Sequence, residues 1–191
     1  GMHTWTPQTG KNGDGWKYQY FKDAIRGFQQ AHQCSSWTRD YAVFSLMPMI
    51  DNLVVDENKR ETKFNHANET AKPNYYKVKF ENQITTEISP SERGAHLRFS
   101  YPKGKKSYLV LDGYIRTSGV KIYPKENKIT GYVSNGQGFN KDWKSFFVIQ
   151  FDKKIKSFGT WENKKNTVKA DSTSSEGLGK GAYVEFEAGA K

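Results

Sequence analysis

The chain has 191 residues and a formal net charge of +10 at pH 7, from 30 Lys and Arg against 20 Asp and Glu. Only 35% of it is hydrophobic, yet 15% is aromatic, and that share of Phe, Tyr and Trp, each able to bury roughly 150–250 Å², excludes a disordered tail. No apolar run approaches the roughly 18 residues of a membrane helix, so a membrane is not an expected partner.

The first 74 residues carry Gly, Gln, Trp, Asp and Asn with no sustained periodicity. They read as long, ordered amino-terminal loops, with Tyr41–Met49 the best strand candidate, ending at Pro48. From Tyr75 the period becomes two. Tyr76, Val78 and Phe80 alternate with Tyr75, Lys77 and Lys79, which predicts a strand. Glu81-Asn82-Gln83 is a turn, and Ile84, Thr86 and Ile88 begin the next strand. After a break at Pro90–Gly94, Ala95, Leu97, Phe99 and Tyr101 mark a half-buried strand. Pro102-Lys103-Gly104 turns into Tyr108–Leu111, a continuous apolar run suited to a strand covered on both faces.

Further strands are expected at Val120–Tyr123, Ile129–Val133, Ser145–Phe151, Ile155–Phe158, Val168–Ala170 and Ala182–Phe186. Residues 171–181, rich in Ser and Gly, read as a flexible connector. Six Leu against nineteen Ile and Val also favour strands. Many short strands at roughly 8–12-residue spacing predict an all-β fold, an antiparallel β-sandwich of two packed sheets, as a single domain over residues 1–191.

Charge and cysteine content narrow the partners. Lys supplies 24 of the 30 cations and is spread over the whole chain, whereas a nucleic-acid reader tends to show a basic stripe with Arg. The lysines read as a solvated surface, and nucleic acid is not an expected partner. A lone Cys34 excludes an internal disulfide and a multi-cysteine metal site. The nearby His32 makes a reactive Cys–His pair conceivable only in an extended segment, and a small, partly buried thiol is the plainer reading.

The chain lacks a P-loop, a dinucleotide glycine fingerprint, HExxH, GxSxG and paired CxxC. Three segments instead mix large aromatics with polar side chains. Residues 5–20 hold Trp5, Trp16, Tyr18 and Tyr20; residues 27–49 hold His32, Gln33, Trp37, Arg39 and Asp40; residues 64–76 hold His66, Asn68 and Glu69. An aromatic face packs on the C–H face of a sugar ring, while amides, carboxylates and guanidinium groups bond its hydroxyls. That mixture suits carbohydrate. The same residues also have a structural reading, with Trp16 and Trp37 in the core and His66 and Glu69 pinning a strand.

These segments resemble glycoside hydrolase family 92, the bacterial calcium-dependent exo-acting α-mannosidases. Trp5–Lys11, Gly13–Trp16, Ile25–Phe28, His32-Gln33, Trp37, Asp40-Tyr41, Phe44-Ser45, Met47-Pro48, His66, Glu69, Ala71, Pro73 and Tyr75-Tyr76 match one branch of the family in order. The later TTEISPSERGAHLRFSYP and GYVSNGQG are similar to the family's amino-terminal domain. The match departs from the pattern at Ala31-His32-Gln33-Cys34-Ser35-Ser36-Trp37, where a threonine and two prolines of the family are replaced, leaving that loop freer.

The resemblance implies an amino-terminal β-sandwich domain of an alpha-1,2-mannosidase-like hydrolase that is not catalytic by itself. The acid and base carboxylates, and the calcium ion, are expected in a helical-barrel domain outside this sequence, with no cofactor in this chain. In the family the two carboxyl groups of an inverting hydrolase stand roughly 6.5–9.5 Å apart. The implied substrate contacts are Trp16, His32, Gln33, Trp37, Asp40, His66 and Glu69, toward a mannose-containing glycan. Trp37 would stack on sugar, His32, Gln33 and Asp40 would bond it, and His66 and Glu69 either reach the site or support it. A stand-alone carbohydrate-binding module is the other reading. The parent protein is expected to be periplasmic or secreted, although no signal peptide precedes Met2.

Overall fold

The computed structural model describes residues 4–12, 17–31, 43–134 and 142–190. Among the described residues, the regular structure is sixteen strands and one short 3-10 turn at Pro124–Glu126. In chain order the strands are β1 (Thr4–Gln8), β2 (Ala24–Ile25), β3 (Gly27–Ala31), β4 (Phe44–Ile50), β5 (Thr62–Lys72), β6 (Tyr75–Phe80), β7 (Thr85–Pro90) and β8 (Ala95–Ser100). They continue with β9 (Ser107–Asp112), β10 (Thr117–Tyr123), β11 (Lys128–Ser134), β12 (Lys144–Gln150), β13 (Ser157–Glu162), β14 (Thr167–Ala170), β15 (Ser174–Leu178) and β16 (Lys180–Phe186).

The strands form three antiparallel sheets. A seven-stranded sheet runs β1-β3-β4-β9-β16-β13-β14, a four-stranded one β12-β11-β10-β15, and a five-stranded one β2-β5-β6-β7-β8. The seven-stranded sheet is central because its inner strands are apolar on both sides. All six residues of β9 are buried. Successive side chains of a strand point to opposite faces, so Tyr108 and Val110 join one core while Leu109 and Leu111 join another. Met47, Met49, Trp161 and Tyr183 fall in the first core with Phe64, Val78, Phe80, Ile84 and Ile88 of the segment that builds the five-stranded sheet. Phe44, Leu46, Ala182, Val184 and Phe186 fall in the second, with Val120, Ile122, Ile129 and Val133 of the four-stranded sheet. The expected sandwich is present, and its middle sheet serves two cores.

Three local expectations change. Pro48 lies inside β4 rather than ending it, paired with Leu109. The N–H of Asp51 donates to Lys106 O, so alternation turns the nitrogen of Pro48 away from β9. On that other side the β3 pairing has already stopped at Phe28↔Leu46, and the missing N–H costs no ladder bond. Residues 171–181 are not a connector throughout, because β15 pairs with β10 from Ser174↔Lys121 to Leu178↔Thr117. Gly177 and Gly179, with φ of +130° and +66°, supply backbone that side-chain-bearing residues rarely adopt, and the chain then reverses into β16. The early segment also holds more strand than its composition suggests, with β1, β3 and β5 beside β4.

Candidate functional site

Two carboxylates flank the stem of the loop that leads to Trp16. Thr9 N–H donates to Lys17 O at 2.9 Å, and Gln19 N–H donates to Thr9 Oγ1 at 2.8 Å, so the loop is pinched at its base. On one side of that stem sits Glu57, whose Oε1 accepts from Gln8 Nε2 and from Asn12 N–H, both at 2.6 Å. Burial holds the Glu57 carboxyl above the ordinary carboxylate range, against the opposing pull of the Asn12 N–H and the Arg60 charge.

On the other side sits Glu69. Its strand β5 pairs with β6 at Phe64↔Phe80 and resumes at Glu69↔Val78, with a bulge between. Within that bulge Ala67 N–H donates to Asn65 Oδ1 at 2.8 Å, a local turn that re-aims the side chains around it. Glu69 then collects three donors. Tyr18 OH reaches Oε2 at 2.8 Å, Tyr76 OH reaches Oε1 at 2.6 Å, and His66 Nδ1 lies 2.8 Å from Oε2. The Glu69 side chain is only 8% exposed against 28% for His66. Tyr20 stacks on the His66 ring, centroids 4.2 Å apart and planes 20° off parallel, and Phe64 meets it edge-on at 5.0 Å. Burial, then the hydrogen bond to Glu69, pushes both the Tyr18 and Tyr76 hydroxyls well above the usual phenol range, so both stay protonated donors.

Beneath the stem lies an ion pair that the sequence does not announce. Arg60 NH1 and Asp112 Oδ2 are 2.7 Å apart with side-chain exposures of 0% and 1%. Arg60 also donates to Val55 O and Arg26 O, which ties the 51–61 loop onto the central sheet. Asp112 Oδ1 accepts from Tyr114 N–H at 2.6 Å and from Asn163 Nδ2 at 3.2 Å. Tyr114 has a φ of 57°, a sparsely populated region for a bulky residue, and its hydroxyl is fixed by donating to Gln8 Oε1 and accepting from Gln29 Nε2. Its ring packs on Val43, just past the segment that carries His32 to Asp40. Tyr114 therefore joins Gln8 of β1 and Gln29 of β3 to Val43, which precedes β4.

Of the seven residues expected to contact substrate, Trp16, His32, Gln33, Trp37 and Asp40 lie outside the described residues. His66 and Glu69 are described and touch each other. Sequence reasoning named Tyr18 and Tyr20 only as aromatic content, named Tyr76 and Gln8 only within a strand or a stretch matching the family pattern, and assigned no role to Glu57, Arg60 or Asp112. Among the described residues no group of three or more His, Cys, Asp and Glu is placed to hold a metal. Glu57 Oε1 accepts from Gln8 and Asn12, and Glu69 accepts from Tyr18 and Tyr76.

The whole chain, residues 1–191, matches the sequence profile of the glycosyl hydrolase family 92 N-terminal domain. A search of curated proteins finds no match. Among solved structures, the family GH92 inverting mannosidase BT2199 of Bacteroides thetaiotaomicron VPI-5482 superposes with a TM-score of 0.92 at 34% identity, over 98% of this chain and 25% of that one. A family GH92 alpha-mannosidase of Bacteroides thetaiotaomicron in complex with mannoimidazole, BT3965, gives 0.82 at 20% identity, over 98% and 27%, a likeness of fold. The chain thus spans about a quarter of the length of these structures. It belongs to glycosyl hydrolase family 92 and corresponds to the N-terminal domain of that family.

Proposed function

We propose that this domain completes a sugar pocket for a mannose-containing glycan and buries an inter-domain face, while bond cleavage is performed by carboxylates on a partner domain outside these residues. The observation that carries the reading is the occupancy of Glu69. A general acid or base must be within reach of a substrate proton, and both oxygens of Glu69 already serve Tyr18, Tyr76 and His66. Its role is to position. A carboxylate accepts, so His66 Nδ1 carries the proton in their contact and Nε2 is the ring nitrogen left to meet a sugar hydroxyl.

Tyr20, stacked on His66 and 70% exposed, supplies an open ring face beside that nitrogen. Trp16, His32, Gln33, Trp37 and Asp40 are assigned to the same pocket on the strength of their match to the family pattern, with Trp37 stacking and the others bonding hydroxyls. Calcium, in this reading, is held by the partner domain and not by this chain. The parent protein is assigned to the periplasm or the exterior of a bacterium.

Titration calorimetry of the 191-residue chain with mannobiose tests the reading, alongside an assay for released mannose. The account predicts no release, with binding weak or absent because half of the pocket is elsewhere. Binding at millimolar or tighter without hydrolysis points to a stand-alone carbohydrate-binding module instead. Hydrolysis by the chain contradicts both.

A further inference from the structure

β8 is the last strand of the five-stranded sheet and β12 the last of the four-stranded sheet, and among the described residues neither has a strand on its outer side. Both line one groove of about 980 Å³, floored by Phe44, Leu46, Leu109 and Phe186 of the central sheet. Among the described residues the edge of β12 is open for pairing. Phe151 N–H donates back to Asn127 O, so alternation turns the N–H groups of Phe146, Val148 and Gln150 away from β11. Phe146 and Val148 are 75% and 68% exposed, an apolar load that an edge strand facing water ordinarily avoids.

The groove is lined by all six residues of β8 and by Phe146–Gln150 of β12, so it follows the length of both edges as an extended segment would. The solved relatives are about four times as long as this chain, so the family has polypeptide to spare. Ala190 also lines the groove, its carbonyl accepting from Tyr101 N–H at 3.0 Å.

We propose that the groove receives one extended strand from the part of the family polypeptide outside these 191 residues. That strand adds to the open edge of β12, with alternate apolar side chains on the Phe44, Leu46, Leu109 and Phe186 floor. The inference is independent of the sugar reading, since nothing in it depends on a ligand.

Hydrogen exchange tests it, comparing the 191-residue chain with the protein encoded by its entire gene. The proposal expects the Phe146, Val148 and Gln150 amides to exchange at least about 10-fold more slowly in the longer protein. It also expects V148P, which deletes one donor of that edge, to remove the protection of the Phe146 and Gln150 amides while leaving the unfolding midpoint of the 191-residue chain unchanged. Equal exchange in the two proteins overturns it, as does a gene that encodes nothing beyond these residues. A concentration-dependent dimer of the 191-residue chain that protects the same amides also overturns it, by making a second copy the occupant.

Discussion

The hydroxyl of Tyr76 donates to Oε1 of Glu69 at 2.6 Å, across a hairpin whose register pairs Glu69 with Val78 and Ala71 with Tyr76. Tyr76 is thus the diagonal neighbour of Glu69 on the same face of the sheet, within reach of a long side chain. The bond joins the edge of the core to the stem of the Trp16 loop, because Tyr18 uses the other oxygen of the same carboxylate.

Glu69→Ala strips the partner from three donors at once. Each buried donor left without an acceptor costs about 1–3 kcal/mol, and the group is partly exposed, so the expected loss is about 2–4 kcal/mol in urea unfolding. Glu69→Gln, which keeps one acceptor oxygen, loses less. A loss under about 0.5 kcal/mol for Glu69→Ala contradicts the assigned support role.

Arg60→Ala leaves Asp112 charged and buried with no cation beside it. Breaking a buried pair in this way costs about 3–5 kcal/mol, and the chain should show a large drop in unfolding midpoint. An exposed pair such as Arg98–Glu87 gives the contrast, with Arg98→Ala changing stability by about 1 kcal/mol or less.

Glu57 makes a pH-dependent contribution whose sign follows from its direction of shift. Its folded pKa lies above the ordinary value of 4.5, so the folded state holds a proton that the unfolded state has released. The contribution is fully present below the ordinary pKa and is lost as pH rises through the folded one. Glu57→Gln keeps an acceptor for Gln8 and Asn12 and cannot titrate. The difference in unfolding free energy between Glu57→Gln and the unsubstituted chain should therefore grow in favour of the variant as pH rises above 4.5. A difference that stays flat, or runs the other way, contradicts the burial argument.

Gly181 faces Trp161 across the ladder between β16 and β13. A Cβ there would lie 2.3 Å from Trp161 Nε1 and 2.4 Å from Leu111 O, the two atoms that bond each other at 3.0 Å. The indole is 2% exposed and has nowhere to move. Gly181→Ala is expected to cost about 3 kcal/mol by overpacking, whereas Gly94→Ala, where the nearest side-chain atom is 3.5 Å away, should be nearly neutral by thermal unfolding.

How much of this the sequence discloses depends on how locally each feature is encoded. The strands β6 to β9 are legible because alternation and flanking turn residues are local signals, and Tyr108–Leu111 shows its two-sided burial by being apolar at every position. Pro48 misleads because its tolerance depends on where the β3 pairing stops, which is a property of the sheet. β15 misleads because Ser174–Leu178 has little strand propensity of its own and takes its ladder from β10. In the candidate site, His66 and Glu69 are legible as a pair three residues apart. Arg60 and Asp112 are not, since 52 residues separate them and each lies in a stretch that looks like solvated loop or turn.

Incubating the purified 191-residue chain with α-1,2-linked mannobiose and measuring free mannose tests the central claim most directly. The account predicts release no faster than in a protein-free blank. Mannose released in proportion to protein concentration, and lost in Trp37→Ala, would place the bond-breaking groups on this chain and contradict the account.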